Sequence, residues 1–179
     1  MSAPIRIEAV GPIDLASLAL SPGQAARLDV PLALAPLDFG GNPYSAFPDA
    51  PRGTLDISRT VNGYALRLRF QASYEGPCVR CLGSAQTDLD LDVREVEQEA
   101  GADSEVDFDC PYVDLDLLDV SRWASDSAAL AFPAQPLCEE GCGGICPTCG
   151  ERVAPGEEPH RHSIQGDPRM SGLGDIEFE

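Results

Sequence analysis

The chain has 179 residues, 43% of them hydrophobic, and a formal net charge of -18, which allows one sizeable domain with a small appendage. Its longest apolar stretch, residues 30–37, is short and broken by Pro31 and Pro36, which excludes a membrane-spanning helix there. Thirteen acidic residues and one arginine, Arg94, lie between Gln86 and Asp119; such a surface repels phosphate backbones and suits a basic partner, or serves only to keep the protein dispersed.

The N-terminal residues lack a basic region followed by an apolar core, so no secretory signal is read there. The expected compartment is the cytosol, where paired cysteines bind metal more often than they form disulfides. Residues 5–10 read as a strand, a helical turn is expected after Asp14, and a second strand over 27–34. Residues 36–52 are rich in Pro, Gly and small side chains and read as a flexible loop. Leu55, Ile57 and Val61 then alternate with polar residues, as do Tyr64, Leu66, Leu68 and Phe70, with Asn62-Gly63 between the runs. A two-residue Asn-Gly turn of type I′ would pair Val61 with Tyr64, Ile57 with Leu68 and Leu55 with Phe70, placing the apolar side chains on one face.

The second strand of this hairpin runs on to the pair Cys78 and Cys81. A third leaves it with Leu89, Leu91 and Val93 on one face and Asp88, Asp90 and Asp92 on the other, so the cysteines are expected at a hairpin tip in an antiparallel sheet. Val106 and Phe108, alternating with Glu105, Asp107 and Asp109, suggest a further strand. One helix is expected over 117–131, capped by Asp116, with Asp119 in its first turn, an apolar stripe of Val120, Trp123, Ala124, Ala128 and Ala131, and Pro133 as its stop. From Pro136 the apolar density collapses. Residues 166–179 read as a mobile tail with Met170, Leu173 and Ile176 as docking points.

Six of the seven cysteines and both histidines fall in short-spaced pairs: Cys78 with Cys81, Cys138 with Cys142, Cys146 with Cys149, and His160 with His162. Eight such ligands suffice for two closed, structural tetrahedral zinc sites. Three arrangements compete. Cys146, Cys149, His160 and His162 hold one zinc while Cys78, Cys81, Cys138 and Cys142 hold another; or Cys138, Cys142, Cys146 and Cys149 form a single site; or no metal binds. A thiol-disulfide catalyst is the chemical rival, but such a motif should open a helix after a strand, where the dipole lowers the thiol pKa, and both CxxC pairs fall in turns. Cys110 reads as a buried small hydrophobe. There is no Gly-rich phosphate loop and no Gly-x-Ser-x-Gly elbow.

The order of several segments resembles the YceD family, the large ribosomal RNA subunit accumulation proteins. They are Cys78-Val79-Arg80-Cys81-Leu82, Val113-Asp114-Leu115-Asp116 before a helix, Leu130 to Cys138 at its exit, the run from Cys142 to Gly150, and Asp167-Pro168-Arg169 with Leu173. The family's usual final Cys-x-Cys is His160-Arg161-His162 here, and histidine can replace cysteine as a zinc ligand. The resemblance favours pairing Cys78 and Cys81 with Cys138 and Cys142. It implies a non-enzymatic, cytoplasmic ribosome-biogenesis factor supporting accumulation of large-subunit (23S) ribosomal RNA.

The expected architecture is therefore α+β. It comprises a mainly antiparallel β-rich core over 1–135 with one principal helix, a zinc-knuckle appendage over 136–165, and the tail. Two zinc ions are expected, with Asp88, Asp90 and Asp92 meeting a basic ribosomal protein or a pre-ribosomal particle. Tight binding to bare RNA, a membrane or a small-molecule substrate is not expected; tight RNA binding would point instead to Arg80, Arg152 and Arg161 near the knuckles.

Overall fold

A computed structural model describes residues 5–6, 8, 10–48, 50–98, 109–155 and 162. In chain order its elements are β1 (Ile5–Arg6), β2 (Ile13–Asp14), a 3-10 turn (Ala16–Leu18), β3 (Ala25–Pro31), β4 (Leu37–Phe39), β5 (Asn42–Phe47), β6 (Arg52–Arg59), β7 (Gly63–Pro77), β8 (Ser84–Gln98), β9 (Val113–Asp114), β10 (Leu117–Leu118) and α1 (Val120–Ala131). The main sheet runs β1-β3-β6-β7-β5-β4, with β8 also paired to β7. All its pairings are antiparallel except β1 with β3. β2, β10 and β9 make a small second sheet. Among the described residues no helix is long and apolar enough to cross a membrane.

The long strand β7 organises the rest. Tyr64, Leu66, Leu68, Phe70, Ala72 and Tyr74 recur every second residue and are all buried, the pattern of a strand with one face on a core. β8 pairs along its whole length. On the other side, β6 pairs with residues 64–70 and β5 takes over at 73–75. Leu28, Leu55, Ile57, Leu89 and Leu91 from neighbouring strands join that face, and α1 covers it with Val120, Trp123, Ala124 and Ala128. Full burial of each large apolar side chain contributes about 1.5–3 kcal/mol. Two serines fasten the helix: Ser121 Oγ accepts from Ala33 N and Ser125 Oγ from Ala35 N, each at 3.0 Å.

Several expectations shift. The Asn62-Gly63 turn does not form. The register is Leu55 with Leu68, Ile57 with Leu66 and Arg59 with Tyr64, two residues from that expected, which preserves the apolar face. Thr60 N donates to Gly63 O at 2.9 Å, leaving Val61 and Asn62 at the tip. Gly63 serves another purpose: a Cβ there would strike the Glu97 carbonyl of β8. Residues 36–52 are not a loop, since β4 and β5 form a hairpin around Gly40 and Gly41, both at positive φ, and bury Tyr44 completely. Of the strand expected over 5–10, Ile5–Arg6 forms β1, while residues 7 and 9 lie outside the described residues; the strand expected over 27–34 is Ala25–Pro31.

The helix begins at Val120, not 117, because Leu117 and Leu118 pair as β10. Asp119, not Asp116, caps it, accepting from Arg122 N at 2.9 Å. Asp116 and Leu115 instead adopt left-handed conformations (φ 64° and 48°) and turn β9 into β10. Ala131 is exposed and Ser127 takes its place in the buried stripe. The strand proposed around Val106 and Phe108, and the tail over 166–179, lie outside the described residues.

The outer face of the sheet alternates in sign. Asp56 accepts from Arg27 Nε and, at 2.8 Å, from Arg69 Nη2; Asp92 takes two bonds from Arg67; Asp29 accepts from Arg52 Nε at 2.9 Å. Burial pushes the Asp56 carboxyl up, but Arg27 and Arg69 together outweigh it and hold it below the ordinary carboxylate range. A depressed folded pKa contributes stability that is present above the unfolded value and lost as pH falls through the folded one. Asp56→Asn should therefore destabilise the protein by about 1 kcal/mol at neutral pH. In urea titrations at several pH values, that gap should close as pH falls below about 4.

Candidate metal centre

The first cluster is assembled from both ends of the core. β7 delivers Cys78 to the hairpin tip, where Cys78 N donates to Gly83 O at 2.7 Å and Leu82 N to Cys78 O at 3.0 Å. Leu82 is left-handed (φ 58°), so the tip curls and Cys81 turns back toward Cys78. From the other side, Phe132 ends α1 in an extended conformation before Pro133, as expected of a residue preceding proline. The chain then runs to the tip, where Pro136 O accepts from Val79 N at 3.1 Å. Cys138 and Cys142 arrive next, the second after a turn through Gly141 at φ 75°.

The four sulfurs of Cys78, Cys81, Cys138 and Cys142 all lie within 4.8 Å of one another. Cys78 Sγ is 3.8 Å from Cys142 Sγ, and Cys81 Sγ is 3.6 Å from Cys138 Sγ. A tetrahedral zinc with Zn–S bonds of about 2.3 Å has S···S edges of about 3.8 Å, so the donors fit that ion. These separations far exceed the about 2.0 Å of a disulfide. Cys78 and Cys142 are almost fully buried, at 0% and 1% exposure, Cys81 is buried and Cys138 half-buried.

Electrostatics points the same way. Burial raises the Cys78 thiol, but the amides of Cys81, Cys138 and Arg80 and the Cys81 thiol outweigh it and bring it down to about 6. Burial and the neighbouring thiols Cys81, Cys142 and Cys78 push Cys138 up to about 12. One thiol ionises readily and its neighbour then resists. Four sulfurs this close can all be thiolates only around a cation.

The second cluster gathers Cys146, Cys149 and His162, with ligand atoms again within 4.8 Å of one another and Cys146 Sγ 3.2 Å from His162 Nε2. Cys146 N donates to Glu151 O at 2.8 Å and Gly150 N to Cys146 O at 2.9 Å, with Gly150 at φ 76°. The amides of Cys149 and Thr148 lower the Cys146 thiol to about 6. His160, the fourth expected ligand, lies outside the described residues. Thus the cysteine pairs divide between two clusters, and Cys138 and Cys142 do not join Cys146 and Cys149. Neither CxxC opens a helix. Cys110 is buried at 2% exposure, and burial raises its thiol.

Sequence reasoning gave two neighbours no structural role. Arg152 Nη2 donates to Cys138 Sγ at 3.0 Å and to Glu139 Oε1 at 2.9 Å. Arg80 Nη1 donates to Cys142 O at 3.0 Å. Their only sequence signal is proximity to a cysteine pair. Asp88, Asp90 and Asp92 are exposed, as expected. Asp88 accepts from Ser73 and Gln86, which hold its carboxyl below the ordinary range, and Arg67 does the same for Asp92.

No solved structure gives a significant match to the chain. An uncharacterized protein of Mycobacterium bovis and two of Mycobacterium tuberculosis are each 31% identical over 123 residues, covering 66% of this chain. The aligned region is 58% of the length of each relative. The family profile described as "Large ribosomal RNA subunit accumulation protein YceD" matches residues 66–177. That span takes in β7 from Leu66 on, the hairpin tip, α1 and both cysteine clusters, and on this match the chain belongs to the YceD family.

Proposed function

We propose that the protein is a non-enzymatic ribosome-biogenesis factor that supports accumulation of large-subunit ribosomal RNA in the cytoplasm. Two structural zinc ions would hold its C-terminal appendage to the β-rich core. Cys78, Cys81, Cys138 and Cys142 would bind one; Cys146, Cys149, His162 and His160 would bind the other. The observation that carries the reading is the four-sulfur cluster: four cysteines, three of them buried and Cys138 half-buried, fill every ligand position, so the ion would supply folding energy and no open coordination position. Family membership supports the ribosomal assignment. A thiol-disulfide catalyst finds less support, because the four sulfurs sit at metal-site separations and belong to no helix N-terminus.

The partner is proposed to be a basic ribosomal protein or a pre-ribosomal particle, met by the face carrying Asp88, Asp90 and Asp92. The arginines interleaved on that face narrow its negative field and make the meeting one of matched charges. Gradient sedimentation of cell lysate checks this. The tagged chain should travel with large-subunit precursors and dissociate as salt rises. Asp88→Asn with Asp90→Asn should weaken that association severalfold and leave the fold intact; Asp92 is spared because it holds Arg67. Sequence-selective, tight binding of the purified chain to bare ribosomal RNA would contradict the proposal.

A further inference from the structure

We infer that Arg152 couples the two cysteine clusters, so that metal at the second site strengthens metal binding at the first. The inference rests on the metal reading above and adds a connection between the sites. Arg152 belongs by its backbone to the second knuckle. It forms an isolated bridge with Ile145, and the flanking residues close the same turn through Glu151 O accepting from Cys146 N and Val153 N donating to Gly144 O at 2.9 Å. By its side chain it belongs to the first cluster, where it bonds the Cys138 sulfur. Glu139 holds the guanidinium in that position with a second bond.

The chemistry makes this contact consequential. Four thiolates around a divalent cation leave a net charge of about -2 on a buried site. A guanidinium donating to one sulfur offsets part of that charge, favours the thiolate of Cys138 and fixes its direction. The contact exists only while the turn carrying Arg152 keeps its shape. That turn is closed by the residues that hold Cys146 and Cys149, so a metal there would preorganise Arg152 toward Cys138. By linkage, each metal would strengthen the other's binding. A second contact lies on the same path: the backbone at Gly144 comes so close to the Arg80 carbonyl that a Cβ there would sit 3.2 Å from its oxygen, and Arg80 itself donates to Cys142 O.

A thermodynamic cycle on the full chain tests the coupling. Chelator competition measures affinity, and cobalt(II) spectra separate an all-sulfur site from a mixed sulfur and nitrogen one. Cys149→Ser, which disables the second site, should weaken metal binding at the first about tenfold. Arg152→Gln should weaken it to a similar extent, and Arg152→Lys should restore part of the loss. In the Arg152→Gln background, Cys149→Ser should have no further effect on the first site. The coupling is overturned if Cys149→Ser leaves first-site affinity unchanged, or weakens it equally with and without Arg152. Wild-type protein that binds neither metal overturns the metal reading itself, and the coupling with it.

Discussion

Cys78→Ser should remove one of the two metal equivalents and destabilise the whole chain, not the appendage alone. Cys78 is fully buried where β7 enters the hairpin tip. The other half of its cluster comes from beyond α1, so a metal there would tie the end of the helix to the end of the sheet. Structural zinc contributes on the order of 10 kcal/mol to folding of such segments; serine, a poor zinc ligand, would forfeit much of that, for a loss of about 5 kcal/mol. The reporter is built in. The single tryptophan, Trp123, is 1% exposed in the core and stacks on Tyr112, so its emission follows the core and not the cluster. Denaturant titration should show the core midpoint falling in Cys78→Ser. Removing everything after Ala154 takes the histidines of the second site and leaves the first cluster's four cysteines, so through the tenfold coupling it should cost the core about 1.4 kcal/mol, well short of the loss in Cys78→Ser. The reverse result would show that the first cluster does not brace the core.

Tyr44→Ala should cost about 3–5 kcal/mol, as large-to-small changes of buried aromatics do. Tyr44 is fully buried, lies 5.0 Å from the Phe132 ring and 6.2 Å from Phe39, and donates its hydroxyl to Pro77 O at 2.7 Å. Burial, and then the neighbouring Cys78, raises its hydroxyl pKa, so it remains a donor at neutral pH. The ring thus joins β5, the helix end and the residue before Cys78. Gly76 makes room for it, since a Cβ there would run into the ring. Tyr44→Phe keeps the packing, loses one hydrogen bond, and should cost about 1 kcal/mol. Thermal unfolding of the three proteins checks the order. A Tyr44→Ala variant as stable as wild type would place β4 and β5 outside the core.

That pivot was hidden in the sequence. Tyr44 sits in a run of Pro, Gly and small residues whose composition signals a loop, and a three-residue strand such as β4 is too short for periodicity to register. By contrast, β7 and β8 alternate over 15 residues each, and their faces were legible. Turn chemistry misled in both directions. Asn62-Gly63 carries the strongest hairpin signal, yet Gly63 is needed for the close approach of β8. Leu115 and Asp116 adopt the paired left-handed conformations of a tight turn with no glycine, a choice the pairing of β9 with β10 imposes on an exposed Leu115 against its local preference. Ligand spacing revealed which cysteines pair locally. It left their partners open, because Cys78 and Cys142 are 64 residues apart and only the return of the chain after α1 brings them together. Arg152 escaped for the same reason: its backbone belongs to one cluster and its guanidinium to the other.

Both clusters are proposed to hold metal. Elemental analysis of the full chain, purified under reducing conditions without chelator, tests this most directly. About two zinc ions per chain are expected; a metal content near zero would rule out both zinc sites.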